Sequence, residues 1–145
     1  MPWQCFVKQF WMRVPEIEIS AGAYLGLALG ILIFPLDCLL AAIFAAGIHE
    51  CCHFLALKCC SVPVNRLEIG LLGAKIRTGM LSPVQELLCA AAGPAGSLSL
   101  AVFANYMPLI SLFGLCQGLF NLVPVYPLDG GRICRSIFML AKMRH

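Results

Sequence analysis

The sequence predicts an all-α membrane protein with about four transmembrane helices, a short membrane-associated β-hairpin and a broken fourth helix. Three observations predict it. The 145 residues are 61% hydrophobic and 12% charged, with a mean hydropathy of +0.89, too little charge to cover a soluble domain. Several uncharged stretches approach or exceed the roughly 20 residues that a helix needs to cross hydrocarbon. All ten Lys and Arg residues fall on one side of a four-span arrangement. At this length the chain reads as a single core over residues 1–145, so any chemistry has to sit among the spans.

Taken in order, residues 1–18 form an interfacial N-terminus. Trp3, Phe6, Phe10 and Trp11 interleave with Lys8 and Arg13, and no cleavage site of small residues follows. Residues 19–36 carry no charge and form the first span; Asp37 interrupts, and residues 38–57 form the second. The second is apolar except for His49, Glu50 and His53. Residues 58–82 then change character, with Lys58, Arg66, Glu68, Lys75 and Arg77 around Pro63 and several glycines. Arg66 and Glu68 alternate with Leu67 and Ile69, residues 70–73 supply the turn, and Lys75 and Arg77 alternate with Ala74 and Ile76. This is a hairpin pattern, set against a plain solvated loop because two short strands alone are marginal. Packed on the membrane face, it would offer an open edge to an extended peptide.

Residues 87–128 are uncharged for 42 positions, too many for one crossing, and Asn105-Tyr106-Met107-Pro108 is the natural break. Spans of 85–104 and 108–142 follow. Lys8 and Arg13, the basic residues of 58–77, and Arg132 to Arg144 all lie on one side, so both termini and the hairpin are expected in the cytoplasm. The nine cysteines are odd in number and sit mostly in apolar stretches, where Cys behaves as a small hydrophobe; reduced packing residues are expected.

His49-Glu50-Cys51-Cys52-His53 carries the chemistry. It matches His-Glu-x-x-His on a predicted helix, where positions i and i+4 turn both imidazoles to one face and let them share a zinc ion. Glu50 can then take a proton from the water that attacks a carbonyl. Buried packing is the plainer explanation, but ionisable groups are costly at membrane depth and are normally kept for function. At 1.5 Å per residue the two histidines lie roughly 17–23 Å below the outer end of the second span.

A catalytic zinc takes a third protein ligand. Glu68, Glu86, Asp129 and His145 are candidates, and Asp129 is favoured by its surroundings. Asn121-Leu-Val-Pro-Val-Tyr-Pro-Leu-Asp-Gly-Gly-Arg132 places two prolines and two glycines inside the fourth span. A broken helix at that depth is tolerated where it is buried in protein or lines a wet cavity. Asp129 is expected near the start of the resumed helix, as an N-cap type of residue.

Together, HECCH on the second span and NLVPVYPLDGGR on the fourth resemble the site-2 protease family of intramembrane zinc metalloproteases, and most nearly the bacterial branch that includes the stage IV sporulation protein FB. The resemblance covers about residues 21–135. It implies one zinc ion on His49, His53 and Asp129, Glu50 as general base, and membrane-embedded or membrane-associated protein substrates such as a sigma or anti-sigma factor. It also implies that Asn121 helps hold the substrate or the oxyanion. The hairpin, through Leu67, Ile69 and Ile76, would guide the substrate strand. A multi-pass protein of the bacterial cytoplasmic membrane, with the bilayer and membrane regulators as partners and no nucleic acid, is the corresponding setting. The third span departs from the family: Gly93-Pro94-Ala95-Gly96-Ser97 stands where Gly-Pro-x-x-Asn is frequent. Gly93 and Gly96 would permit close helix packing, and Cys52, three residues after His49, is expected to fill space, with ligating or sensing the metal as the alternatives.

Two other function classes fit part of the pattern. A non-catalytic partner of the same fold has no need of Glu50. A metal-handling membrane protein explains the histidines and cysteines, but not the proline-broken segment that ends at Asp129.

Overall fold

A computed structural model describes residues 16–70 and 73–143. It contains β1 (Glu16–Ile19), α1 (Ala21–Ile33), α2 (Leu36–Cys59), β2 (Val64–Gly70), β3 (Gly73–Thr78), α3 (Pro83–Ser99), a 3-10 turn (Leu100–Phe103), α4 (Pro108–Asn121) and α5 (Asp129–Met143). The fold is mostly helical. Residues 1–15 of the expected anchor at 1–18, residues 71 and 72 of the expected turn at 70–73, and His145 lie outside the described residues.

Helix α2 begins at Leu36, two residues before the expected start at 38. Pro35 stands at the cap and Asp37 lies in the first turn, where a carboxylate complements the partial positive charge of the helix N-terminus. Asp37 therefore starts the helix rather than separating two spans. At the other end Ser61 adopts a left-handed φ of 56°. The amide of Val62 donates to the Leu57 carbonyl at 2.9 Å and that of Ser61 to Lys58 at 3.0 Å, which closes the helix in a Schellman arrangement. Val62, Val64, Leu57 and Cys89 then pack as a small buried cluster, with Ile76 and Leu81 against it.

Helix α3 opens with a capping box between Ser82 and Gln85 and with Pro83 in its first turn. Gln85 Nε2 donates to the Cys60 carbonyl at 3.3 Å, which ties the start of α3 to the end of α2. Helix α3 is central and packs against α2, α4 and α5.

Strands β2 and β3 form the antiparallel hairpin that the alternation predicts, with Leu67 opposite Ile76 and Glu68 opposite Lys75. β1 adds a third strand, parallel to β2, with Ile17 beside Leu67 and Ile19 beside Ile69. Arg66 fixes this pairing through Glu18 at 2.9 Å and Glu16 at 3.4 Å. The alternation in Glu16-Ile-Glu-Ile19 was the available signal, absorbed instead into an interfacial segment and a span.

Among the described residues, two helical stretches, Leu36–Cys59 and Pro83–Phe103, are long and apolar enough to cross a membrane. Helix α1 has 13 residues where a span over 19–36 is expected, because β1 takes its first residue and Phe34 and Pro35 end it. No residue of α1 is buried, and Tyr24, Leu25, Ile31 and Leu32 face outward. The fourth stretch is broken as predicted, with α4 ending at Asn121 and α5 starting at Asp129.

Candidate metal centre

The centre is assembled where α2 meets α3. Along α2 buried residues recur every fourth position at Ala41, Ala45, His49, His53 and Leu57, with Lys58 also buried in the last turn. The alanines let the helices approach, and the same stripe then turns both imidazoles toward α3. There α3 offers Gly93-Pro94. A Cβ added at Gly93 would collide with the His53 ring and lie 2.8 Å from His49 Nε2, so the absent side chain is the space that the imidazoles occupy. Pro94 has no N–H to give to the carbonyl one turn back, which opens the hydrogen-bond ladder beside the site.

One nitrogen of each ring is engaged from outside. His53 Nδ1–H donates to the Cys89 carbonyl at 2.7 Å; a carbonyl only accepts, so in the neutral ring Nε2 is the nitrogen that carries the lone pair. His49 Nδ1 and Ser97 Oγ share a hydrogen bond of 2.8 Å. The other nitrogens converge with one carboxylate oxygen: His49 Nε2 to Asp129 Oδ2 is 3.2 Å, His53 Nε2 to Asp129 Oδ2 is 3.1 Å, and the two Nε2 atoms are 3.1 Å apart. All three residues are buried.

That triangle fits a metal. Ligand atoms about 2.0–2.1 Å from a tetrahedral zinc ion stand about 3.3 Å from one another. The observed edges of 3.1–3.2 Å match that separation. Two nitrogens and one carboxylate oxygen make the three-ligand donor set of a catalytic zinc site, where a structural site takes four protein ligands.

Asp129 reaches the triangle because the chain folds back on itself between α4 and α5. Leu128 N–H donates to the Val125 carbonyl at 2.9 Å, and the Leu128 carbonyl accepts from Arg132 N–H at 3.2 Å. A Cβ on Gly131 would lie 2.6 Å from the Tyr126 nitrogen, and one on Gly130 would strike the Leu122 carbonyl. The glycine pair therefore lets the loop backbone lie directly on the first turn of α5. Asp129 is the first residue of that helix, as expected, but its side chain serves the triangle rather than capping backbone amides. Its second oxygen accepts from Arg132 at 3.3 Å, and Arg132 also pairs with Glu86 at 3.9 Å.

Of the other residues singled out by sequence, Glu50 is half-buried on α2 beside His49 and adds to the electrostatic field at His53. Glu86 pairs with Arg132 and is not a member of the triangle. Asn121 ends α4, its amide donating to the Gln117 carbonyl at 3.1 Å. Leu67, Ile69 and Ile76 are half-buried in the sheet, with Ile76 against the small cluster below it. The Cys52 sulfur sits where a Cβ of Gly96 would be, which makes it a space-filling contact. Sequence reasoning missed Ser97, the Cys89 carbonyl and Arg132 as neighbours of the ligands. The serine at the end of Gly-Pro-Ala-Gly-Ser was the one visible signal.

No family model matches the chain. It is 30% identical over 141 residues to a Synechocystis protein named as a zinc metalloprotease, an alignment covering 86% of this chain and 35% of that one. It is 27% identical to a zinc metalloprotease of Methanocaldococcus jannaschii, over 87% of this chain and 43% of the relative. The chain thus spans less than half the length of these relatives. Its fold superposes on a site-2 protease from Methanocaldococcus jannaschii with a TM-score of 0.69 and 26% identity, covering 84% of this chain and 66% of that structure.

Proposed function

We propose that the chain belongs to the site-2 protease family, to which its relatives and its fold point, and that it is an intramembrane zinc endopeptidase acting on membrane-embedded or membrane-associated proteins. The convergence of His49 Nε2, His53 Nε2 and Asp129 Oδ2 within a burial normally denied to such groups is the observation that carries the reading.

His49, His53 and Asp129 would hold the metal. When bound, zinc supplies a Lewis acid that polarises a carbonyl and acidifies water. Glu50 receives the proton of the attacking water and returns it to the leaving amine, a role that needs a carboxylate beside the ligands but not among them. Cys89 and Ser97 hold the ring nitrogens that face away from the site. Asn121, at the end of α4, steadies the substrate carbonyl, and the sheet, through Leu67, Ile69 and Ile76, aligns an extended substrate segment. The single core crosses the bacterial cytoplasmic membrane four times: α1, α2, α3 with its 3-10 turn, and the broken α4–α5 pair. The branch resemblance adds sporulation and a sigma or anti-sigma factor as the setting.

Co-expression with tagged, membrane-tethered sigma or anti-sigma factors tests the proposal. Wild-type protein should shorten a substrate, and Glu50→Gln should leave it intact while still binding zinc, since glutamine keeps the shape and loses the basicity. A Glu50→Gln variant that cuts at the wild-type rate removes the mechanism. Metal flux into vesicles that is indifferent to Glu50→Gln would replace protease with metal carrier.

A further inference from the structure

We propose that Ser97 is a positioning residue for His49, fixing the imidazole so that Nε2 points at the metal; this rests on the zinc reading above.

The two histidines are held differently. His53 is oriented by a backbone carbonyl, which belongs to the frame of α3 whatever the side chains are. His49 is oriented by a single side-chain hydroxyl, Ser97 Oγ at 2.8 Å from Nδ1. An imidazole can turn about its last side-chain bond, so pointing Nε2 at one spot requires a second fixed contact on the ring. With Nε2 committed to a cation, Nδ1 carries the hydrogen and donates it to the Ser97 oxygen, which sets the tautomer as well as the ring plane.

Ser97 is itself held from behind. It has no exposed surface. A Cβ added at Gly118 of α4 would stand 3.2 Å from Ser97 Cβ, and one at Gly114 would stand 2.9 Å from the Ser97 carbonyl oxygen. Helix α4 thus backs the turn of α3 that carries Ser97, and the hydroxyl cannot retreat from the ring. His49 is oriented by a contact that three helices hold in place.

The test uses the purified full chain and two serine deletions. Ser97→Ala removes only the hydroxyl, and alanine suits a helix interior, so the variant folds. Ser111→Ala is the control: it removes another buried hydroxyl of the same helix cluster, one that donates to the Leu100 carbonyl at 2.7 Å and not to a histidine. Zinc affinity is measured by competition with a chelator, and ligand geometry by the visible spectrum of the cobalt-substituted protein. Ser97→Ala should weaken zinc binding about 10- to 100-fold and shift the cobalt bands. Ser111→Ala should leave both as in wild type. Zinc affinity of Ser97→Ala within about twofold of wild type, with an unchanged cobalt spectrum, overturns the inference while leaving the zinc reading standing; the twofold margin sits well below the loss expected for such a contact. An equal loss in Ser111→Ala also overturns it, by showing that packing and not orientation is at stake. Wild-type protein that takes up no zinc overturns the metal reading and this inference together.

Discussion

Three electron-rich atoms about 3 Å apart repel one another unless a proton or a metal ion lies between them, and burial sharpens the repulsion by removing water. His49 Nε2, His53 Nε2 and Asp129 Oδ2 are in that position at 3.1–3.2 Å. Asp129, and not Glu86, is therefore expected to complete the ligand set. Asp129→Ala should drop bound zinc to a small fraction of wild type and abolish cleavage. Glu86→Ala should keep most of both, since Glu86 reaches the centre only through Arg132. Zinc content of the two purified variants decides the matter, and metal lost from Glu86→Ala but kept by Asp129→Ala would reverse the assignment. At this scale the candidate ligands were legible because charged and imidazole groups are conspicuous in apolar spans. Their supports were not: a backbone carbonyl at Cys89 has no sequence signature, and one serine in a helix of small residues looks like packing.

Among the elements, α3 is shaped by absence. Gly93 leaves the volume that two imidazoles fill, whereas Gly47, on the same face-to-face pair of helices, has nothing within 4 Å of its would-be Cβ. Gly93→Ala should cost about 1–3 kcal/mol through overpacking, and it should displace His53 and lower zinc affinity at least tenfold, an estimate from the sensitivity of metal sites to ligand placement. Gly47→Ala should leave zinc unchanged and raise helix stability by about 0.5–1 kcal/mol. Thermal melts with and without zinc separate the two, and similar zinc affinities for both variants would argue against the Gly93 contact. The hairpin and the broken fourth helix were readable from alternation and from prolines with glycines. For β1 the alternation of Glu16 to Ile19 was visible but its pairing was not, because the partner lies some 50 positions away and no local period announces it.

For the molecule as a whole, the expected orientation rests on where the element ends meet. The 24 residues of α2 rise about 36 Å, more than the roughly 30 Å of hydrocarbon, which is long enough for its two ends to lie at opposite surfaces. Its C-terminal end carries the sheet, through Leu57, Val62 and Val64, and the start of α3, through Gln85 and Cys60. The start of α1 joins the same surface, since the Ser20 amide donates to the Ile69 carbonyl at 2.9 Å. At 13 residues, α1 rises only about 20 Å, short of the roughly 30 Å of hydrocarbon. Its shortness was hidden in the sequence because hydropathy does not distinguish a helix from the strand and proline that bound it. The basic residues Arg66, Lys75 and Arg77 lie in the sheet, so the sheet side is expected in the cytoplasm. In a background with all nine cysteines replaced, Lys75→Cys should react with an impermeant thiol reagent only from the cytoplasmic side, and Asp37→Cys only from the opposite side. Reaction of both from one side would mean that α2 does not cross, and the zinc triangle would then belong to a protein lying on the membrane rather than within it.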